Sequence, residues 1–521
     1  MTIIMDKFFP KYFTHIISFL IVFGTTFLCT SYFTDETLYP KWVATILILC
    51  LVSITGLIKK TSSHKYFSKE LFEYDIVYLS ALQCIILYFQ EKGHVPKNVV
   101  YSFGSFDNVA GFVSYICLTL PLGINNVKKK KSASRIALLI CKIITLFAII
   151  YSESRIGIIS CAIFLLMITC SNCSMPIRKS IFIVLTSSTI LTIILFFAMK
   201  QDSSKGRLFI ATRTIELIKE KPIFGYGYNG FCKKYMEAQA EFFKNNPHSE
   251  YAIYADNVHH PMSDILLIIF EFGLFGLLIF VGYVLLFIKL STRQDANTAF
   301  KKLSILLILI IWILFSYPLR YPFTWIAIAY SLYKILPSNI KCKKSIYTYM
   351  QVLTVALAMF CLHSMTIDRN WRLAQNNYDD GKIKKALLLY NQLYQDKKSD
   401  YKYLYDYSYV LYSIGQKKKA LQVALKCSNY LSDYHLCLLS GYIYRDMKNY
   451  KMAIEMFEKA HFMCPSRIVP LYEQYIIFRT TNNNENRSKM AKRIKKFPIK
   501  IMSSKVNSIL NELEILEAAY K

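Results

Sequence analysis

At 521 residues the chain is long enough for several soluble domains, yet 54% of its residues are hydrophobic and only 19% are charged, a balance that excludes an ordinary water-soluble globular protein. The formal net charge of +29 would suit nucleic acid if it lay on one soluble face. The Lys and Arg fall instead in short clusters between apolar runs, which points to a membrane surface and to no nucleic-acid partner.

Apolar runs of roughly 17–25 residues, the length a helix needs to cross the hydrocarbon core, are expected at 12–33, 41–58, 72–90, 108–126, 135–152, 156–172, 179–199, 262–289, 302–317, 319–335 and 346–364. The fold class expected is therefore all-α, a polytopic transmembrane helical bundle of about eleven spans. The first run lacks a small-residue cleavage site and is followed by more runs, so it is expected to stay as a helix. Cysteines such as Cys50, Cys84, Cys117 and Cys161 sit within these runs as small hydrophobes, without the spacing of metal ligands.

Positive charge collects in alternate connections: Lys7 and Lys11; Lys59, Lys60, Lys65 and Lys69; Lys128, Lys129, Lys130 and Lys131 with Arg135; Arg178 and Lys179; Lys301 and Lys302; Lys341, Lys343 and Lys344. By the positive-inside rule these are cytoplasmic. The connections between them, including Asp35 with Glu36, residues 92–107, residues 153–155, the long loop 200–261 and Arg320, are expected outside, and so is the C-terminus.

From about Thr366 the sequence turns polar, Tyr-rich and helix-periodic. Gly381-Lys-Ile-Lys-Lys-Ala386, Gly415-Gln-Lys-Lys-Lys-Ala420 and Lys448-Asn-Tyr-Lys-Met-Ala453 recur with the ~34-residue period of a tetratricopeptide (TPR) helix pair. The third copy resembles the consensus most closely, with Gly441, Tyr444, Ala453, Phe457, Ala460 and Pro465 at matching offsets. Two domains are expected: a membrane domain over 1–365 with the large loop 200–261, and a soluble TPR-like α-solenoid over 366–521 that folds independently.

Polar residues gather at the outer ends of the spans. Arg155, in Tyr151-Ser-Glu-Ser-Arg-Ile-Gly157, reads either as an arginine snorkelling to headgroups or as a functional group at the outer mouth. The long loop holds Gly206-Arg207, Arg213 and then Pro222-Ile-Phe-Gly225-Tyr-Gly227-Tyr-Asn-Gly230-Phe231. Arg207 and Arg213 are solvated loop charges or anion-binding groups. Gly225, Gly227 and Gly230 spell a dinucleotide fingerprint, but one that follows a helix-like stretch in an external loop and not a buried strand, so that reading is rejected for a Gly-rich turn. Asn257-Val-His259-His260-Pro-Met-Ser-Asp264 leads into a span containing Glu271 and Gly273. The two histidines lack further ligands at usable spacing, so no metal is expected. A neutral imidazole suits acceptance of a hydroxyl proton instead. Glu271 is either a paired structural residue or part of a polar site.

In this order the pieces resemble the O-antigen ligase and polymerase superfamily of bacterial envelope glycosyltransferases. The resemblance rests on Gly104-Ser-Phe-Asp-Asn108, Ser154-Arg155-Ile-Gly157, Gly206-Arg207, Pro222 to Phe231, and His260-Pro-Met-Ser-Asp264 with Glu271-Phe-Gly273. It covers about 100–290, and Ser263 and Asp264 depart from the usual Asn and Glu. It implies a GT-C-like bundle in the bacterial inner membrane, active on the periplasmic face without metal, nucleotide or other cofactor. The implied donor is a glycan on undecaprenyl diphosphate, and the implied acceptor is lipid A-core, a glycan or a protein. On this resemblance Arg155 and Arg207, with Arg213 third, would hold the departing diphosphate, for which a planar guanidinium is well shaped. His260 would be the general base, with His259 a neighbour. Asn108, Gly225, Gly227, Asp264 and Glu271 would line the substrate site. The repeats offer a surface for a protein partner. Two rival classes remain: a transporter or flippase, which calls for charge near the midplane where Lys142 and Glu271 are the candidates, and a non-catalytic scaffold for envelope assembly.

Overall fold

The computed structural model of the protein describes residues 16–58, 69–95, 103–123, 132–172, 201–291, 296–332 and 344–518, with a few positions between 176 and 190. Most of the expected span 179–199 and most of the basic clusters lie outside the described residues. Those residues are helical throughout the named elements and form two compact units, one drawn from Met1–Ala198 and Phe280–Leu373, the other from Met199–Ile279 and Ala374–Lys521.

The first unit contains α1 (Ile16–Thr26), α2 (Leu38–Ile58), α3 (Lys69–Glu91), α4 (Val109–Thr119), α5 (Ser132–Tyr151) and α6 (Arg155–Asn172). Among the described residues, four helical stretches are long and apolar enough to cross a membrane: Leu71–Glu91, Ala133–Tyr151, Asp264–Ser291 and Gln351–Asp379. On α5 the exposed residues Ile136, Ile140, Ile143, Phe147 and Ile150 repeat at helical spacing, the stripe a helix presents to lipid. By contrast α4, with 11 residues, is only ~16 Å long, and its residues Gly111 to Thr119 are all buried. A helix enclosed by others has its backbone shielded from lipid and need not span the bilayer.

Charged groups in this apolar unit are paired. Glu73 on α3 takes Lys301 Nζ at 2.8 and 2.9 Å, the Gly123 N–H at 2.9 Å and the Tyr330 hydroxyl. Lys142 on α5 donates to the Thr119 and Leu120 carbonyls at 2.7 and 3.0 Å. An unpaired charge there would cost several kcal/mol. This corrects the expectation that Lys301 and Lys302 lie in a basic loop: both are buried, within α10 (Ala296–Phe315).

The second unit joins the long loop to the C-terminal helices. α7 (Gln201–Glu220) and α8 (Gly230–Asn245) precede α9 (Asp264–Ser291), while α11 (Pro322–Leu332) and most of α12 (Lys344–Asp379) belong, with α10, to the first unit. α12 runs unbroken through residues 365 and 366, where hydropathy alone suggests a boundary. Then come α13 (Ile383–Lys397), α14 (Tyr401–Ser413), α15 (Lys417–Ser428), α16 (Tyr434–Asp446), α17 (Tyr450–Met463), α18 (Val469–Thr480), α19 (Asn484–Lys495) and α20 (Ser504–Ala518). The turns between paired helices carry positive φ at Gly381, Gly415, Lys448 and Asn482, a repeat of 34, 33 and 34 residues. Five positions after the first three, Ala386, Ala420 and Ala453 are fully buried. A larger side chain there would force the paired helices apart.

Leu217, Phe231, Tyr235, Met236 and Ala240 of the loop share one core with Tyr434, Leu438, Phe457, Ala460 and Met463 of the helix pairs. Gln239 Nε2 donates to the Met463 carbonyl at 2.6 Å, and the Ser432 N–H donates to the Cys232 carbonyl at 2.9 Å. The helix pairs therefore do not stand apart from the loop as the sequence reading expects: the two pack on one core.

Candidate functional site

The Gly-rich stretch and the Glu-x-Gly element are two halves of one construction. α9 breaks at Gly273, where φ is 63° and ψ −157°. The break frees carbonyls before it and N–H groups after it, and residues 222–227 take them up. The Tyr226 and Gly227 N–H groups donate to the Phe270 and Glu271 carbonyls, both at 2.9 Å, while those of Leu274 and Phe275 donate to the Pro222 and Ile223 carbonyls at 2.8 and 3.2 Å. An apolar helix offers no water to such groups, so the loop is what makes the break tolerable. A Cβ on Gly225 would lie 2.5 Å from the Phe270 oxygen, and one on Gly273 2.2 Å from the Ile223 oxygen. Glu271 is buried, and its carboxylate takes the Asn229 N–H at the start of α8, the helix end that favours negative charge.

Just before α9 the chain turns at His260, Pro261 and Met262, with Met262 at φ 58°. His260 Nδ1 accepts the Met262 N–H at 3.0 Å, and Nε2 lies 3.4 Å from Asp264 Oδ1. Acceptance at Nδ1 assigns the ring proton to Nε2. The lone pair that a base would use is thus engaged by the turn. Ser263 caps α9, its hydroxyl accepting the Leu266 N–H at 3.3 Å, and Asp264 is the companion of His260.

His259 has a different set of partners. Its Nε2 lies 3.1 Å from Asp433 Oδ2, which also takes Asn257 Nδ2 at 2.5 Å. Asn257 Oδ1 accepts the Tyr434 N–H at 3.2 Å. The other Asp433 oxygen caps α16, accepting the His435 and Leu436 N–H groups at 2.6 and 2.9 Å. The hydrogen bond to Asp433, aided by Cys232, outweighs burial and lifts His259 to about 9. Burial alone would raise Asp433, but the bonds from His259 and Asn257 and the cap bring it down to about 2. At neutral pH His259 is a cation, and 43% of its side chain is exposed.

Arg207 and Arg213 both lie on α7, but six positions turn a helix by about 240°, so they point to different sides. Arg207 is exposed. Arg213 stacks over Phe242 at 4.3 Å, pairs with Glu216, and lines a cleft of about 600 Å³ with Lys221, Tyr226, Lys234 and Glu237.

Asn108 and Arg155 belong to the other unit. Asn108 caps α4 by accepting the Gly111 N–H at 2.9 Å and donates to the Tyr321 hydroxyl at 2.9 Å, which donates to Asp107 at 2.8 Å. Both ends of its amide are engaged, a structural arrangement. Ser154 accepts the Gly157 N–H at 3.2 Å to cap α6, and a Cβ on Gly157 would come 2.8 Å from Val113. Serine and glycine of that motif thus serve the fold, leaving half-buried Arg155, at the first position of α6, as its charged member. Asn257, Asp433 and Tyr321 escaped the sequence reading. Asp433 gave only the ordinary signal of a helix cap, and Asn257 stood unassigned at the head of the histidine string. Among the described residues no group of three or more His, Cys, Asp or Glu is arranged to hold a metal ion.

Residues 140–281 match the family model described as O-Antigen ligase. The matched stretch runs from α5 into α9 and takes in Arg155, Arg207, the Gly-rich loop, both histidines and Glu271. No curated protein matches the chain.

Proposed function

We propose that this membrane protein, which carries an O-antigen ligase domain over residues 140–281, moves a glycan from an undecaprenyl diphosphate carrier to an acceptor hydroxyl at the periplasmic face of the inner membrane. What supports the reading is a broken apolar helix with two histidines just before it, within the matched segment, Asp264 standing beside His260 and Asp433, from beyond that segment, beside His259.

Arg155 and Arg207 hold the diphosphate as negative charge develops on it, since a guanidinium fork matches phosphate oxygens. The acceptor oxygen bonds to the anomeric carbon, the bond from that carbon to the diphosphate breaks, and the hydroxyl proton passes to His260. A single displacement of this kind inverts the anomeric centre. Asp264 orients His260 through Nε2, and Nδ1 takes the proton once the acceptor hydroxyl displaces the Met262 N–H. A left-handed residue such as Met262 costs about 1–2 kcal/mol, so the turn that covers Nδ1 resists displacement weakly. Asn108, Gly225, Gly227 and Glu271 shape the surroundings, and no metal or cofactor takes part. The TPR-like helix pairs serve a periplasmic protein partner or acceptor. Polymerase and protein oligosaccharyltransferase chemistry use the same steps with a different acceptor.

The test is transfer from an undecaprenyl diphosphate glycan by purified protein in nanodiscs, with lipid A-core, glycan and protein acceptors in turn. Transfer by the wild-type protein that survives chelation, and falls sharply in His260→Gln and Arg207→Lys, is expected. Normal transfer by both variants, or loss on chelation that a divalent ion restores, would overturn the mechanism.

A further inference from the structure

The C-terminal helix pairs cap their helices with aspartates at corresponding positions, Asp400 for α14 and Asp433 for α16. Each uses one oxygen for the cap. Asp400 spends its second oxygen on Lys397, its neighbour in sequence, at 2.9 Å. Asp433 spends its second oxygen on His259 and Asn257 of the long loop. Capping needs only one acceptor, so the second set of bonds goes beyond what the helix requires. Its consequence is a half-exposed imidazolium next in sequence to His260.

We propose that Asp433 is a positioning residue of the transfer site, and that it holds His259 as an exposed cation that recognises the diphosphate of the lipid-linked donor. This rests on the functional reading given above. It would make the C-terminal helices part of the site and not an accessory to it. The charged and titratable groups facing His259 are Asp433 and His435 at the start of α16 and Cys232 on α8; His435 in turn faces the ion pair of Arg467 with Asp256 at 2.5 Å, and Tyr405 faces Asp433. Among the described residues, Asp433 is the carboxylate bonded to the ring.

Asp433→Asn separates cap from charge. Asparagine caps a helix as well as aspartate, but with its oxygen on the His435 and Leu436 N–H groups it turns an NH2 towards His259 and Asn257. Nε2 must then act as acceptor, and the ring returns to the ordinary value near 6.5. In the full-length protein in nanodiscs, reaction of His259 with diethyl pyrocarbonate, which attacks the neutral ring, should be slow in the wild type at pH 7.5 and fast in Asp433→Asn. Inorganic pyrophosphate should slow it further in the wild type. Transfer by Asp433→Asn should fall on the order of 30-fold at pH 8 and come back near the wild-type rate at pH 6, as titration about 6.5 in place of 9 requires. His259→Gln should lack this pH-dependent recovery. Should Asp433→Asn fail to fold, Asp433→Ser keeps a cap and serves the same test. Equal labelling of His259 in wild type and variant would overturn the positioning role. Altered labelling with superimposable pH profiles and no protection by pyrophosphate would overturn diphosphate recognition. A wild-type protein that transfers nothing yet shows pyrophosphate protection would sink the glycosyltransferase reading while leaving the anion site standing.

Discussion

His260 and His259 are adjacent in sequence and chemically unlike. His260 has Nδ1 on a backbone N–H and Nε2 beside Asp264, whereas Asp433 holds His259 charged. Their substitutions should separate. His260→Gln should lower transfer by about 10²–10⁴, the usual contribution of a general base, with protein level and donor binding preserved. Asp264→Asn, which loses orientation but not the base, should cost less, and activity in nanodiscs measured beside His260→Gln would expose the difference. The His259 and Asp433 pair also gives stability a pH dependence. His259 is raised from 6.5 to about 9, so its contribution is complete below 6.5 and lost as pH rises through 9. Asp433 is lowered from 3.8 to about 2, so its contribution is complete above 3.8 and lost as pH falls through 2. Between pH 7 and 9.5 the second unit should therefore lose on the order of 1 kcal/mol, the solvent-screened worth of a half-exposed pair. Asp433→Asn should flatten that slope in thermal unfolding followed by circular dichroism.

The break in α9 shows how elements constrain one another. Pro222 to Gly227 and Glu271 to Gly273 were legible as separate motifs because glycine marks turns and close approach. Their pairing was not, since backbone hydrogen bonds between distant segments leave no residue-type signature. The helix pairs are a similar case: Gly381 and Gly415 announced their turns, and Lys448 was found only through the period. Asn482 went unread because Arg487 stands where an alanine would have marked the repeat. The interlock gives a controlled prediction that sets the break and its sealing loop against a glycine further along α9. Gly273→Ala meets the Ile223 backbone at 2.2 Å and Gly225→Ala the Phe270 backbone at 2.5 Å, whereas Gly282→Ala meets nothing within 4 Å. Overlap with backbone has no rotamer to relieve it, so the first two should each cost about 2 kcal/mol or more. Gly282→Ala should be neutral. Thermal stability and monodispersity in detergent would check this, and equal behaviour of all three would mean that the loop does not seal the break.

At the scale of the whole molecule, the all-helical membrane character followed from composition and apolar run length, while the division into units did not. Sequence character changes near Thr366, but the core that joins Phe231 and Tyr235 to Phe457 and Met463 is built from segments about two hundred residues apart, and amphipathic faces do not declare their partners. Residues 380–518 expressed without the loop should stay helical in far-UV circular dichroism, because each pair forms local contacts. They should also bind a hydrophobic dye and unfold with low cooperativity, because the Tyr434 and Phe457 face is uncovered; a cooperative fragment that binds no dye would count against the shared core. Orientation is the remaining question at this scale, and α10 changes its basis. Lys301 and Lys302 are buried, with Lys301 paired to Glu73, so they no longer argue for a cytoplasmic connection as free headgroup charges. The clusters at Lys59 and Lys60, at 128–131, and at Lys341 to Lys344 still do, because short basic loops resist translocation. They predict that alkaline phosphatase joined after Ala518 is active and that the same enzyme joined after Lys60 is not. A cytoplasmic reporter at the same two junctions should give the opposite pattern. If the reporter after Ala518 works only in the cytoplasm, the C-terminal helices, and with them the loop they pack against, lie on the side where nucleotide sugars are made. A lipid-borne donor on the outer face would then have no access to His259 and His260.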